Sequence, residues 1–249
     1  MNRTAFLIEP IDIVLPVHNE GASIEVTLRE FYAQTLKDKI PIRFIICEDG
    51  STDNTVDVLK SLVSQLPILL ISGCERKGYS KAVIDGFRAS TNSWIGFIDS
   101  DGQCDPKDLK TFVEKSQEGF DFVLGYRNPR LDHWIRIVMS NSFKLVYRML
   151  FPVAFKDPSC PYLLISRPLL ENVLSGKVGI LKQGFWWEFL ARVQTLNPTV
   201  CEIPVSHRPR SAGESQVYRP SKVPRIAIEH LKGLFTLRKE LKQVRNVHV

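Results

Sequence analysis

Residues 94–103 read WIGFIDSDGQ, an apolar run that ends in two carboxylates one residue apart. The apolar residues 94–98 predict a buried β-strand, and Asp99 and Asp101 follow directly where that strand ends. Carboxylate oxygens are the ligands that Mg²⁺ and Mn²⁺ prefer, and such ions usually also contact substrate phosphates. This stretch therefore predicts a divalent metal site at the end of a buried strand.

Strands and helices alternate through the first half of the chain. Short apolar runs predict further strands at 11–17, 42–47, 68–72 and 121–125. Apolar residues recur at helical spacing between the strands, from Ile24 to Phe31, over 56–66 with Ser51 or Asp53 as N-cap, over 79–90 and over 106–117. This alternation predicts an α/β fold with a mostly parallel sheet and helices on both of its faces.

Polar residues follow three of the predicted strands at the point where each strand ends. They are His18-Asn19-Glu20, Glu48-Asp49-Gly50-Ser51 and Asp99-Ser100-Asp101. Ligands of parallel α/β sheets bind beyond the carboxyl ends of the strands. We therefore expect these three groups to converge on one ligand-binding edge.

The pattern changes after residue 130. Helices are predicted at 133–151, 184–195 and 223–245, and strands at 162–166 and 199–205. We predict one domain over residues 1–220 and a basic amphipathic helix over residues 221–249.

The positive charge is concentrated at the end of the chain. The net charge is +6, and from Arg208 onward there are ten Lys/Arg against three Asp/Glu, which leaves the preceding residues close to neutral. Cations around an apolar helix face indicate binding to an anionic membrane rather than to nucleic acid. A solvated tail, or an ordinary core-packing helix, is the alternative interpretation.

Other general features favour a cytosolic location. The five cysteines are odd in number and widely spaced, which is typical of free thiols in a reducing compartment. We find no signal peptide and no run of 18 apolar residues. We therefore expect a peripheral protein on the cytosolic face of a membrane, or the soluble partner of a membrane-anchoring subunit.

Five motifs occur in order along residues 11–216. They are LPVHNE at 15–20, EDGSTDNT at 48–55, DSDGQ at 99–103, GYR at 125–127 and RSAGES at 210–215. The set resembles the family 2 glycosyltransferases of GT-A (Rossmann-like) fold, in particular the polyprenyl-phosphate (dolichyl-phosphate) mannosyl- and glucosyltransferases. The resemblance implies a nucleotide-sugar donor and a polyprenyl phosphate or other lipid-linked acceptor.

The resemblance also implies the roles of the donor-side residues. The nucleotide base and ribose would be lined by Pro16, His18, Glu20, Cys47 and Asp49. The Mg²⁺ or Mn²⁺ site would be formed by Asp99, Asp101 and Gln103. Asp101 and Gln103 would offer oxygen ligands, Asp99 would touch the ribose or the metal's water, and Ser100 would add a hydrogen bond to the donor. Lys77, in the basic segment 76–82, either binds the donor phosphates or merely belongs to a helix start.

On the acceptor side, the resemblance assigns phosphate binding to Arg127 and Arg210, of which Arg210 is also a donor contact. In the basic helix 133–151 we expect Arg136 and Ser140 to contact the acceptor. Glu188 lies among aromatic residues, in WWEF at 186–189. It would be the general base for a hydroxyl acceptor, or, for a phosphate acceptor, it would orient the acceptor or pair with an arginine.

The leading hypothesis is an inverting, metal-dependent hexosyltransferase with Asp101, Arg127 and Glu188 at its catalytic centre. Transfer to a glycan or lipid hydroxyl, with Glu188 as base, is the alternative within the same enzyme class. A phosphatase that uses Asp99 as nucleophile and a non-catalytic binding subunit are the two interpretations from other classes.

Overall fold

In the computed structural model, a seven-stranded sheet forms the centre of the molecule. The residues described are 9–73, 75–128, 145, 147–151, 155–176, 178–179, 181, 184–209, 229 and 231–241. The strands are β1 (Ile11–Val17), β2 (Ile42–Glu48), β3 (Ile68–Ser72), β4 (Trp94–Phe97), β5 (Phe122–Arg127), β6 (Leu163–Ser166) and β7 (Val200–Val205).

Helices connect most of these strands. They are α1 (Ile24–Asp38), α2 (Thr55–Leu62), α3 (Tyr79–Ala89), α4 (Leu109–Gln117), α5 (Arg167–Leu174) and α6 (Phe185–Thr195). A 3-10 turn, Pro106–Asp108, precedes α4. Residues 231–241 are also helical, and we call them the C-terminal helix.

The strand order is β3-β2-β1-β4-β6-β5-β7. β6 is antiparallel to both of its neighbours, whereas every other pair of neighbouring strands is parallel. The carboxyl ends of six strands and the amino end of β6 therefore lie at one edge, which we call the carboxyl edge. The predicted mostly parallel sheet is confirmed, with β6 as its exception.

Helices on both faces of the sheet explain its continuous apolar strands, since all seven residues of β1 are buried. On one face, the apolar side chains of α1, α2 and α4 pack against the sheet. On the other face, the apolar side chains of α3, α5 and α6 pack against the sheet. Helix α3 lies close to β1 at Gly86, where a Cβ would lie 2.5 Å from Cγ1 of Val14.

The C-terminal helix packs against α6 and against residues 147–151. Leu234 and Leu237 are fully buried in a cluster that includes Tyr147, Phe151 and Trp187. The predicted helices 133–151 and 223–245 are helical at the positions that the structure describes between 145 and 150 and between 229 and 241. The rest of both helices, and the predicted boundary at 220/221, lie outside the described residues.

Three local predictions differ from the structure. Helix α5 was not predicted, although Leu169, Leu170 and Val173 form its buried side. The predicted helix 106–117 begins as a 3-10 turn. The helix predicted over 56–66 is α2, which ends at Leu62. Its N-cap is Asn54 rather than Ser51 or Asp53, although Oδ1 of Asp53 accepts the amide hydrogen of Thr55.

Candidate functional site at the carboxyl edge

Hydrogen bonds join the loop after β1 to the loop after β2. The amide of Asn19 donates to Oγ of Ser51 (3.0 Å), and Oδ1 of Asn19 accepts from the amide of Thr52 (2.8 Å). The amide of Glu20 donates to Oγ1 of Thr55 at 2.9 Å. The first two predicted motifs therefore form one connected surface at the carboxyl edge.

Asp49 joins the end of β2 to the start of α3. Its carboxylate is buried and accepts hydrogen bonds from the amides of Lys77 (2.6 Å) and Gly78 (2.9 Å). The loops approach so closely that a Cβ on Gly50, whose φ is +64°, would lie 2.7 Å from the amide nitrogen of Arg76. Asp49 is thus preorganised at this edge, and a carboxylate has more acceptor sites than these two amides use.

His18 contacts the same loop through its ring. Its Nδ1 lies 2.9 Å from the backbone carbonyl of Asp49. A carbonyl can only accept, so Nδ1 carries the proton of this hydrogen bond. Pro16 lies two residues earlier in β1, opposite Cys47 in the β1–β2 register.

Cys47 does not belong to the ligand-facing surface, which corrects its assignment to the donor site. Its side chain is 2% exposed and packs in the apolar cluster beneath α3, where a Cβ on Gly86 would lie 2.8 Å from its Sγ. Burial, together with the charge of Asp85, raises the pKa of Cys47 to about 12. Cys47 is therefore a protonated packing residue.

Glu48, next to Asp49, is a buried carboxylate inside the same loop. It accepts hydrogen bonds from the amide of Ser51 and from the hydroxyl of Ser72. Burial alone would raise the pKa of Glu48, but these bonds and that from the Gly50 amide together lower it. Its charge stabilises the loop that carries Asp49.

Glu20 and Lys77 both have protein partners at their side chains. Oε2 of Glu20 accepts from the hydroxyl of Ser23 (2.8 Å), immediately before α1. Nζ of Lys77 pairs with Asp85 at 3.1 Å, and this contact raises the pKa of Lys77. Lys77 therefore contributes its backbone amide to the site through Asp49, while its ammonium group is directed to Asp85.

Two carboxylates follow β4 at the carboxyl edge. Asp101 is 7% exposed, and its Oδ1 accepts from the amide of Gln103 at 3.1 Å. Oδ1 of Asp99 accepts from the hydroxyl of Tyr79 at 3.0 Å. Ser100, between them, is buried.

Gln103 connects this acidic motif to the segment after β7. Its Nε2 donates to the carbonyl of Arg208 (3.1 Å) and lies 3.2 Å from Nε2 of His207. The amide of Arg208 in turn donates to the carbonyl of Gln103 at 3.0 Å. These contacts fix the orientation of the Gln103 amide group.

The acidic motif fits a cation that is only partly held by protein. Among the residues that the structure describes, no group of three or more His, Cys, Asp or Glu is arranged to hold a metal ion. Asp99 and Asp101 supply two carboxylates, and Mg²⁺ is usually bound by one or two carboxylates together with waters and substrate phosphates. The donor set therefore fits an ion that a bound diphosphate completes.

Arg127, at the end of β5, is engaged inside the protein. Its Nε and Nη2 donate to the two oxygens of Asp157 at 2.7 and 3.0 Å, and Nη2 also contacts Oγ of Ser159 at 2.7 Å. The side chain of Arg127 is 11% exposed and that of Asp157 is 5% exposed. The guanidinium of Arg127 is thus directed to the loop before β6, and its catalytic and acceptor-binding role stays a prediction.

Glu188, in α6, is fully buried in an ion pair. Its oxygens accept from Nε of Arg192 (3.0 Å) and from the amides of Gly179 (3.0 Å) and Leu181 (2.8 Å). Arg192 also contacts Glu240 of the C-terminal helix at 3.2 Å. This placement corrects the predicted role of Glu188 as a general base, since none of the carboxylate is exposed to a substrate. It agrees with the alternative prediction that Glu188 pairs with an arginine.

Three predicted site residues, Arg136, Ser140 and Arg210, lie outside the described residues. Three others were missed: Tyr79, Trp186 and His207 lie at or next to the acidic motif. His207 could have been found from the sequence, because it follows β7 at the carboxyl edge. Nothing in the local sequence indicates the contacts of Tyr79 and Trp186, which come from separate helices.

Known proteins are similar to this chain in sequence and in fold. The chain is 27% identical over 216 residues to an undecaprenyl-phosphate 4-deoxy-4-formamido-L-arabinose transferase of Pseudomonas aeruginosa. The aligned region covers 84% of this chain and 60% of the relative. The corresponding transferase of Serratia proteamaculans is 26% identical over 211 residues, with 84% and 63% covered. The chain thus spans about three fifths of the length of these curated relatives.

Solved structures show the same fold. Glucosyl-3-phosphoglycerate synthase from Mycobacterium tuberculosis, in complex with Mn²⁺, UDP and phosphoglyceric acid, matches with a TM-score of 0.68 and 16% identity, covering 92% of this chain and 78% of that one. A mannosyltransferase from Pyrobaculum calidifontis, in complex with GDP-Man and Mn²⁺, matches with a TM-score of 0.59 and 16% identity, covering 96% and 76%.

These similarities confirm the expected α/β fold of GT-A type. The profile of Glycosyl transferase family 2 matches residues 12–174, well over half of the chain. The chain belongs to glycosyl transferase family 2.

Proposed function

We propose that the protein is an inverting glycosyltransferase that transfers a sugar from a GDP- or UDP-linked donor to a polyprenyl phosphate at a membrane surface. The observation that carries the proposal is the arrangement of Asp49, Asp99 and Asp101 at one edge of a family 2 domain. The polyprenyl acceptor is supported by the relatives, which are named undecaprenyl-phosphate transferases.

Each carboxylate has a distinct proposed role toward the donor. Asp49, with the ring of His18 beside it, lies where the nucleoside would bind. Asp99 and Asp101 would hold Mg²⁺ or Mn²⁺, which neutralises charge on the leaving nucleoside diphosphate. Structures of the same fold bind Mn²⁺ with UDP or GDP-Man, which supports this cofactor.

The transfer is a single displacement. An acceptor phosphate oxygen attacks the anomeric carbon from the face opposite the diphosphate, the new C–O bond forms, and the bond to the diphosphate oxygen breaks. The phosphate acceptor is already ionised and requires no general base. The buried Glu188–Arg192 pair agrees with such an acceptor, and no contact of the described residues favours a hydroxyl acceptor.

The membrane surface is the proposed location of the acceptor. Leu145 and Met149 expose 62% and 67% of their surface, and Leu231 and Phe235 on the C-terminal helix expose 36% and 55%. Exposed apolar side chains with neighbouring cations bind anionic lipid surfaces. Within the described residues, no helix is long and apolar enough to cross a bilayer. A peripheral position on the cytosolic face, alone or with a membrane-anchoring subunit, would satisfy these features.

The test is sugar transfer from UDP- and GDP-linked sugars to undecaprenyl phosphate in anionic vesicles. We expect transfer that requires Mn²⁺ or Mg²⁺, is abolished by EDTA, and is lost in Asp101→Ala. Thermal unfolding with UDP or GDP and Mn²⁺ measures donor binding separately. Absence of transfer from every donor, with unchanged nucleotide binding in Asp101→Ala, would contradict the proposal.

A further inference from the structure

We propose that Tyr79 is a positioning residue for the Asp99 carboxylate, and that Trp186 positions Tyr79. The inference deepens the proposed function and rests on it, because it concerns the carboxylate that would hold the metal ion. It assigns a role to two side chains that lie in different helices and share no sequence motif.

Three side chains form a hydrogen-bonded chain that ends at the acidic motif. Nε1 of Trp186 lies 3.0 Å from the hydroxyl of Tyr79, and that hydroxyl lies 3.0 Å from Oδ1 of Asp99. An indole N–H can only donate and a carboxylate can only accept. The direction is therefore fixed: Trp186 donates to Tyr79, and the single proton of Tyr79 is directed to Asp99.

Trp186 is itself held in place by aromatic packing. It is 8% exposed, and its ring centroid lies 4.5 Å from that of Phe97, the last residue of β4. Phe185 packs against it in an edge-to-face arrangement at 5.0 Å. The indole that donates to Tyr79 is thus held against β4, the strand that leads into Asp99.

The start of α3 touches both acidic parts of the site. Tyr79 is its first residue, and the preceding Gly78 donates its amide to Asp49 at 2.9 Å. Tyr79 is 40% exposed, so part of its ring faces solvent while its hydroxyl is bound to Asp99. This helix start therefore fixes Asp99 relative to the carboxylate proposed to bind the nucleoside.

Hydrogen-bond partners of metal ligands fix the orientation of the ligand, and their loss typically lowers metal affinity about 10–100-fold. The Tyr79 hydroxyl occupies one oxygen of Asp99 and restricts its rotation. Removing that hydroxyl leaves the carboxylate in place but less restricted, so we expect an effect on metal affinity without loss of the fold.

The test is an Mn²⁺ titration of the thermal unfolding midpoint, at a saturating concentration of UDP or GDP, whichever stabilises the wild-type protein. For Tyr79→Phe we expect that about ten times more Mn²⁺ is needed to raise the midpoint by the same amount as in the wild type, because stabilisation follows the ratio of Mn²⁺ concentration to Kd. The midpoint without ligand should fall only slightly, because the Trp186 indole N–H loses its acceptor while the fold is otherwise unchanged. Tyr32→Phe, which removes a tyrosine hydroxyl two turns along α1, is the matched control and should change nothing.

Trp186→Phe removes the indole donor but keeps an aromatic ring. It should raise the Mn²⁺ requirement less than Tyr79→Phe does, and the double variant should be no worse than Tyr79→Phe alone, because Trp186 acts through Tyr79. Additive effects of the two substitutions would overturn the role of Trp186.

The remaining outcomes separate this inference from the proposed function. If no nucleoside diphosphate stabilises the wild-type protein with Mn²⁺, the proposed donor site fails and this inference fails with it. If the wild type is stabilised and Tyr79→Phe has the same Mn²⁺ requirement, only the inference is overturned. A lower ligand-free midpoint with an unchanged Mn²⁺ requirement would make the hydroxyl merely structural, which also overturns it.

Discussion

The Glu188→Gln substitution distinguishes a buried ion pair from a general base. Glu188 has no exposed surface, and its oxygens accept from Arg192 and from the amides of Gly179 and Leu181. A glutamine has nearly the same shape but replaces one of the acceptor oxygens by a donor NH₂ group. Whichever way the amide is turned, at least one of these donors then faces another donor.

The expected cost follows from these contacts. An unsatisfied buried donor costs about 1–3 kcal/mol, and breaking a buried ion pair by removing one partner costs about 3–5 kcal/mol. Arg192 keeps its contact with Glu240, so we expect the lower end, about 3 kcal/mol. At about 2–4 °C per kcal/mol for a chain of this size, the unfolding midpoint should fall by about 6–12 °C.

The assay combines urea unfolding with turnover measured well below the midpoint of the variant. We expect a lower free energy of unfolding and near-normal turnover of the folded fraction. Glu240→Gln is the matched control: its side chain is 24% exposed, so its loss should cost less than that of Glu188. A Glu188→Gln protein of wild-type stability that binds nucleotide but no longer turns over would refute the reasoning and restore Glu188 as the base.

Three further predictions concern the loop after β2 and the buried thiols. Gly50→Ala should destabilise the protein by about 1–3 kcal/mol and weaken nucleotide-induced stabilisation, because the new methyl group meets the backbone before α3. Gly119→Ala is the control, since Gly119 has a positive φ but nothing within 4 Å, and it should leave nucleotide binding unchanged. Equal losses of nucleotide binding in the two variants would contradict this. The folded-state pKa of Glu48 is lowered, so its charge stabilises the fold at neutral pH, and this stabilisation is lost as pH falls through that pKa. Urea midpoints measured from about pH 7 to about pH 3 should therefore depend less on pH in Glu48→Gln than in the wild type. The same pH dependence in both proteins would exclude the effect. Burial raises the pKa of Cys47 and of Cys160 to about 12, so neither should react with iodoacetamide in the native protein while both react in urea; rapid native labelling, read by mass spectrometry, would disprove it.

Much of the fold could be predicted because buried strands and helices have characteristic local patterns of apolar residues. The seven observed strands all lie at or within two residues of the predicted segments, since a strand covered on both faces is a continuous apolar run. The carboxyl-edge rule then placed His18, Asp49 and Asp101 together without knowledge of the strand order. Arg192 lies four residues after Glu188, and that spacing on a helix could have indicated their ion pair.

The partners of individual side chains could not be predicted in the same way. The direction of β6, the engagement of Arg127 by Asp157 and the contact of Tyr79 with Asp99 each join segments at least 20 residues apart. A cation or carboxylate in a motif is equally suited to a ligand or to a protein partner, and the local sequence does not say which one lies within hydrogen-bonding distance.

The sequence by itself determined the family, the alternation of strands and helices, and the edge at which the acidic residues collect. Only the tertiary structure decided that Glu188 and Arg127 are engaged within the protein and that Tyr79 and Trp186 reach the acidic motif. The physical reason is that apolar periodicity is a local property, whereas the pairing of polar groups depends on distances that the packing of helices on the sheet establishes.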